Sequence, residues 1–296
     1  MAKMIGLLLI GLALTAASAR AQFTQVIGAG DFRQVVADGA STYLLKGAGE
    51  VWRFTGGQWA QIDNSTGTTT IAAANGVVYA LKTDGNLYRF AFGGWQQSGG
   101  GIAQAIAAGS NLFVLQTNSN IYRFDGANWL QLDHDTSGSQ QIAADELGNV
   151  YVLKSDGHIY QFAGSSWTTA DDGSGTKQIV AAAGALYVLK TTGNVWARTN
   201  GQWAQLDNGT GTKQIAADQG VAFALKDNGN IWMNRGGQWT QIDNGTGTRA
   251  IDARGGQLAV LKDNGSVFAA MTGTLGARVA GSARAVAFDS LYHVAE

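Results

Sequence analysis

The sequence predicts an all-β protein, a β-propeller built from four-stranded blades of about 36 residues. Three observations carry this reading. A Leu–Lys pair recurs at Leu45, Leu81, Leu153, Leu189, Leu225 and Leu261, with Leu115–Gln116 as a variant, at spacings of 36, 34, 38, 36, 36 and 36 residues. Tryptophan follows 14 residues after each of the first six, at Trp59, Trp95, Trp129, Trp167, Trp203 and Trp239. Glycine supplies 42 of the 296 residues while proline and cysteine are absent, which points to many tight turns between short strands.

The chain opens with a segment that is expected to lie outside the fold. Lys3 precedes an apolar run from Ile5 to Ala17, and Ala19-Arg20-Ala21 forms a small-x-small cleavage pattern. This is the layout of a secretory signal over residues 1–21, cut after Ala19 or Ala21. The apolar run is too short to span a bilayer as a helix, so no membrane span is expected after cleavage. Residues 22–296 are then one propeller domain, with 18 basic against 21 acidic residues. A cysteine-free exported chain fits a bacterial periplasm or exterior.

A lone strand, Phe23-Thr24-Gln25-Val26, comes next, and it is placed to close the ring against the C-terminal blade. Each repeat then reads as four strands. The first is short and Ala-rich, as in Gln214-Ile215-Ala216-Ala217, and suits the crowded axis. The second alternates, as in Tyr151-Val152-Leu153-Lys154. The third is aromatic, as in Ile121-Tyr122-Arg123-Phe124, and the fourth starts at the Trp, as in Trp239-Thr240-Gln241-Ile242. Asp84-Gly85, Asp156-Gly157, Asn228-Gly229 and Asn264-Gly265 separate the second and third strands and predict type I′ turns. At the C-terminus, Arg284-Ala285-Val286-Ala287 and Leu291-Tyr292-His293-Val294 read as one more inner pair, and an outer strand around Leu275 has lost its Trp. Counting these gives 31 strands and favours eight blades, with seven as the alternative.

The succession Trp-x-x-Ile, Gly-x-Val-Tyr-Ala-Leu, Gly-Asn-Ile-Tyr-Arg-Phe and Gly-Gly-x-Trp resembles tectonin-type and tachylectin-like repeats. It departs from them in the Asp-Asn-Gly-Thr-Gly-Thr connector and in lacking proline after the Trp strand. The resemblance implies a lectin-like propeller that binds envelope or cell-surface glycans. The rival reading is a protein-interaction scaffold in the periplasm or on the cell surface, and a hydrolase or lyase built on a propeller is the third.

The composition narrows the function further. Near-balance of 20 basic and 21 acidic residues argues against a nucleic-acid partner. No Gly-x-Ser-x-Gly elbow or phosphate loop occurs, the three histidines fall at unrelated repeat positions, and no cofactor, metal site or catalytic residue is expected. One periodic polar feature remains. Lys46, Lys82, Lys154, Lys190, Lys226 and Lys262 end second strands, and Asp63, Asp133, Asp171, Asp207 and Asp243 end fourth strands. Both ends fall on one face of the disc. Lys82, Lys154, Lys190, Lys226, Asp207, Asn208, Asp243 and Asn244 are therefore the candidate ligand-binding residues, set against inter-blade ion pairing as the alternative role.

Overall fold

The computed structural model describes residues 23–275, apart from residues 40, 110, 134–137 and 174. They form seven four-stranded antiparallel sheets. In the sixth, Thr212–Asp218, Val221–Lys226, Ile231–Arg235 and Gln238–Asp243 run in sequence order from the inside outward. Blades 1 to 6 cover residues 32–63, 68–99, 102–133, 139–171, 176–207 and 212–243, and blade 7 begins at residue 248. Each innermost strand touches the next, and that of blade 7 touches that of blade 1. The ring is a closed β-propeller.

It has seven blades, not the eight that the strand count favoured. Thr24–Ile27 pairs antiparallel with Val267–Met271 and is the outer strand of blade 7. Phe23 stands where the other outer strands begin with Trp. With that slot filled, the chain after Met271 makes a 3₁₀ turn, Thr272–Thr274, instead of an outer strand around Leu275. Leu275 is buried in the core between blades 6 and 7. The described residues thus hold 28 strands, not 31. The segments read as an extra inner pair, 284–287 and 291–294, lie outside the described residues, as does the leader, 1–21.

The Asp-Gly and Asn-Gly turns also differ from expectation. Gly85, Gly157, Gly229 and Gly265 have positive φ, but Asp84, Asp156, Asn228 and Asn264 do not. Gly85 N–H bonds Lys82 C=O, while Lys82 N–H bonds Asn86 C=O. This is a type I turn followed by a left-handed glycine. The acidic or amide side chain selects it by accepting the N–H two residues on, as Asp84 does from Asn86 at 2.9 Å and Asn228 from Asn230 at 3.0 Å. At Gly229 a Cβ would also meet the next connector, 3.0 Å from the Gly247 amide. The type I′ pairs lie at other hairpins, such as Asn75-Gly76 and Asn200-Gly201.

Three devices repeat at the junctions. Seven hydrophobic clusters form, one between each pair of adjacent blades. The outer strand carries a bulge, for example at Ile62, which aims its carbonyl away from its own sheet. The next Trp fills that carbonyl: Trp95 Nε1 donates to Ile62 O at 2.6 Å, Trp203 to Ala170 O at 3.2 Å and Trp59, across the closure, to Val26 O at 2.8 Å. The innermost strands have one edge facing the axis with no strand to pair it. Glutamine side chains cap that edge. The Gln178 amide donates to Ile215 O at 3.0 Å and accepts from Ile215 N at 2.9 Å, and Gln34, Gln141 and Gln214 do the same for Ile71, Ile179 and Ile251.

Candidate functional site

The periodic Lys and Asp residues do meet on one face, here called the connector face. Lys82 bridges to Asp63 at 2.5 Å, Lys190 to Asp171 at 2.8 Å, Lys226 to Asp207 at 2.5 Å, Lys262 to Asp243 at 2.7 Å and Lys154 to Asp133 at 3.6 Å. Every pair crosses a blade junction. Each Lys also reaches a hydroxyl at the start of its own inner strand: Thr68, Ser139, Thr176, Thr212 or Thr248. The side chains are largely covered, with Lys82 15 % and Asp63 8 % exposed. Burial raises the Asp63 pKa, but the bonds from Lys82 and Ser65 outweigh it and hold the carboxyl below its ordinary value. Asn208 and Asn244 sit exposed beside these pairs in the connectors. The structure therefore places Lys82, Lys154, Lys190, Lys226, Asp207 and Asp243 in inter-blade bridges with their charges engaged.

Two junctions lack the bridge, one by losing both partners and the other by losing only the Asp. Between blades 2 and 3, Gly99 replaces the Asp and Gln116 replaces the Lys, whose amide bonds Gly100 O instead. At the closure, Ile27 takes the Asp position and Lys46 turns to Glu50 at 3.1 Å. Lys46 also lies 5.2 Å from the centre of the Trp52 ring. Bonds from Lys46 and Trp52 lower the Glu50 pKa. This corner forms a wide-mouthed pocket of about 480 Å³ with Asp31, Phe32 and Ile27. A second pocket, of about 660 Å³, lies on the other side of blade 7, where Phe23 supplies no indole. Phe23 and Phe268 line it with Gln25, Thr246, Asp263 and Asn264.

Closer to the axis, each inner strand carries a bulge at its start, where one residue is left out of the pairing. The seven positions are Arg33, Thr69, Ala103, Gln140, Lys177, Lys213 and Arg249. The side chains of Arg33 and Lys213 lean along the ring to the first carbonyl of the next inner strand, Thr68 O and Thr248 O respectively. Arg33, Lys177 and Arg249 are exposed.

Toward the opposite end of the ring, acidic side chains accept backbone N–H groups across blade junctions. Asp38 accepts from Gly76 N at 2.6 Å, Asp218 from Gly256 N at 2.7 Å and Asp252 from Ala37 N at 2.7 Å. Burial raises all three pKa values, and backbone N–H groups and Arg254 oppose the rise. Among the described residues no group of three or more His, Asp or Glu could hold a metal ion. No described helix is long and apolar enough to cross a membrane.

Sequence reading found the Lys–Asp face but missed the two bulge rings. A bulge shows in sequence only as a residue that breaks alternation, and these short strands offer few residues to break. The glutamines of the inner edge recur at the repeat spacing, which was their available signal.

No protein-family model matches the chain, and no characterised protein matches it in sequence. Solved structures share the fold. YCF48 bound to D1 peptide matches with a TM-score of 0.63 at 14 % identity, covering 86 % of this chain and 96 % of that one. Yeast RCC1 (Prp20), in a structure with Kap60, matches at 0.66 and 11 %, covering 81 % and 80 %. BamB from Moraxella catarrhalis matches at 0.56 and 15 %, covering 84 % and 97 %. At such identities the likeness is one of architecture: the chain is a seven-bladed β-propeller.

Proposed function

We propose that this chain is a non-catalytic binding propeller that holds another polypeptide on its connector face. One observation carries the reading. The repeated polar groups are used between blades, whereas on that face a set of non-repeating groups gathers around blades 5, 6, 7 and 1: the bulge cations and the two pockets beside blade 7. Broad, open surfaces suit a polypeptide better than a small substrate, which is usually enclosed. The likeness to propellers solved with D1 peptide or with Kap60 supports the same class. Selection of displayed random peptides on the full chain tests it. Enriched peptides that compete with one another are expected; a selection that enriches none refutes the reading.

A glycan reading has its own support. Trp52 with Glu50 and Asp31, and Phe23 with Phe268, Asn264 and Asp263, combine an aromatic face with polar groups as sugar sites do. Kinship with tectonin-type lectins belongs to this reading, and a glycan array on the same protein separates the two. Export, on the strength of residues 1–21, is part of the proposal; N-terminal sequencing of the protein from its host checks for a start near Gln22.

A further inference from the structure

We infer that the bulge ring on the connector face is a binding locus for a narrow anionic element of a polypeptide, an acidic turn or an acidic chain end. The inference rests on the polypeptide-binding reading above and names the chemistry of the partner.

The ring combines constant geometry with variable chemistry. All seven inner strands carry the bulge at the same register, and a bulge residue, freed from its ladder, re-aims its side chain. In most blades a Thr or Ser precedes this position and a Gln follows it, but the position itself has no common residue. Thr69, Ala103 and Gln140 occupy blades 2 to 4, while Lys177, Lys213, Arg249 and Arg33 occupy blades 5, 6, 7 and 1. Those four blades are contiguous, because the inner strand of blade 7 abuts that of blade 1. Four cations therefore form one arc around half of the mouth. A structural role for the bulge would not need them, since Thr69 and Gln140 serve equally well. Arg33 and Lys213 are positioned by carbonyls of the next blade. Lys177 and Arg249 are exposed and make no ion pair with a described residue.

The surrounding charges set the width of the partner. Asp31, Asp227 and Asp263 are exposed on the same face and flank the arc at blades 1, 6 and 7. A broad polyanion such as nucleic acid would press its phosphates against these carboxylates as well as against the cations. A compact acidic tip reaches the arc and avoids them. Arg33 and Arg249 also offer planar forks that match carboxylates.

The test uses a fluorescent hexaglutamate peptide and the full chain, at low and at high salt. Binding that weakens with salt is expected. Serine replaces the cations, since polar residues already stand at this position in blades 2 and 4. K177S/R249S keeps both carbonyl bonds and is expected to weaken binding about tenfold, and R33S/K177S/K213S/R249S about a hundredfold, as exposed ion pairs predict. T69K/Q140K, which lengthens the arc, is expected to tighten it. Unchanged melting temperature of K177S/R249S separates binding from folding. Absent binding, equal binding by the double variant, or tighter binding of a 20-nucleotide single strand than of hexaglutamate overturns the inference. If the peptide selection succeeds but its winners are not acidic, or bind the quadruple variant undiminished, only this inference falls. If the selection enriches nothing, the wider reading falls with it.

Discussion

Thr70→Gln should stabilise the ring, because it supplies the one inner-edge amide that blade 2 lacks. Thr70 occupies the position of Gln34, Gln141, Gln178 and Gln214. Its hydroxyl bonds Gln34 Oε1 at 3.1 Å and bridges to no atom of blade 3. A glutamine there faces the N–H and C=O of Ala105, which correspond to those of Ile71 and Ile215 at other junctions. Two hydrogen bonds contribute about 1 kcal/mol each, against about 1 kcal/mol for ordering the long side chain and about 0.5 kcal/mol for the lost Thr70 hydroxyl bond. The expected net gain is about 0.5 kcal/mol, a rise in Tm of roughly 1–2 °C. Calorimetry of the variant measures it, and Gln178→Ala provides the reverse: it should lose two bonds and destabilise by a similar amount. This junction is the informative one because it also lacks the Lys–Asp bridge, through Gly99 and Gln116. If Thr70→Gln leaves Tm unchanged while Gln178→Ala lowers it, the amide is not a transferable clamp and the argument from repeat symmetry is wrong. A neutral Gln178→Ala would mean that water in the channel serves the edge as well as the amide does.

Other outcomes follow from the same geometry. Trp203→Phe removes the indole bond to Ala170 O but keeps an aromatic that fits, as Phe23 does; a loss of about 1–2 kcal/mol is expected by denaturant titration. Phe92 is fully exposed at φ 54°, where its neighbours use Gly56, Asn200 and Gly236. Phe92→Gly relieves a left-handed strain of about 1–2 kcal/mol against a glycine entropy of about 0.5–1 kcal/mol, so Tm should rise slightly. Ionising Asp252 opposes folding, since burial raises its folded pKa: the penalty is present above that pKa and fades as pH falls toward the ordinary value. Asp252→Asn keeps an acceptor for Ala37 N–H, so it should melt higher than the wild type at neutral pH, with the gap closing in acid.

Much of the fold was legible because a repeat states its own period. The Trp, the Leu–Lys pair and the Ala-rich strand recur in register, so the blade and its strand order are legible in the sequence alone. The blade count could not. It turned on whether residues 24–27 form an extra strand or fill a vacancy, and only the pairing of Gln25 with Phe268 answers that. The turn type is not legible in the sequence because Asp-Gly permits two hairpin geometries, and the bond that the Asn86 N–H donates to the Asp84 carboxylate selects the second. Of the candidate site, the Lys–Asp meeting was visible from strand ends. The cation arc was not: Arg33 and Arg249 stand far apart in sequence and become neighbours only when the ring closes.

Closure by the strand at residues 24–27 also orders events in time. Gln25 meets Phe268 about 240 residues later in the chain, so the first strand to be made completes the last blade. Until then it can bury neither Phe23 nor the carbonyl of Val26 that accepts Trp59. Local hairpins can form as each blade appears, but the contact that ends the process spans nearly the whole chain. Such contacts are slow to find, and an unclosed array leaves outer edges at blades 1 and 7 open to a neighbouring molecule. The protein is therefore most vulnerable to swapping its first strand with another copy in the interval between completing blade 6 and seating residues 24–27.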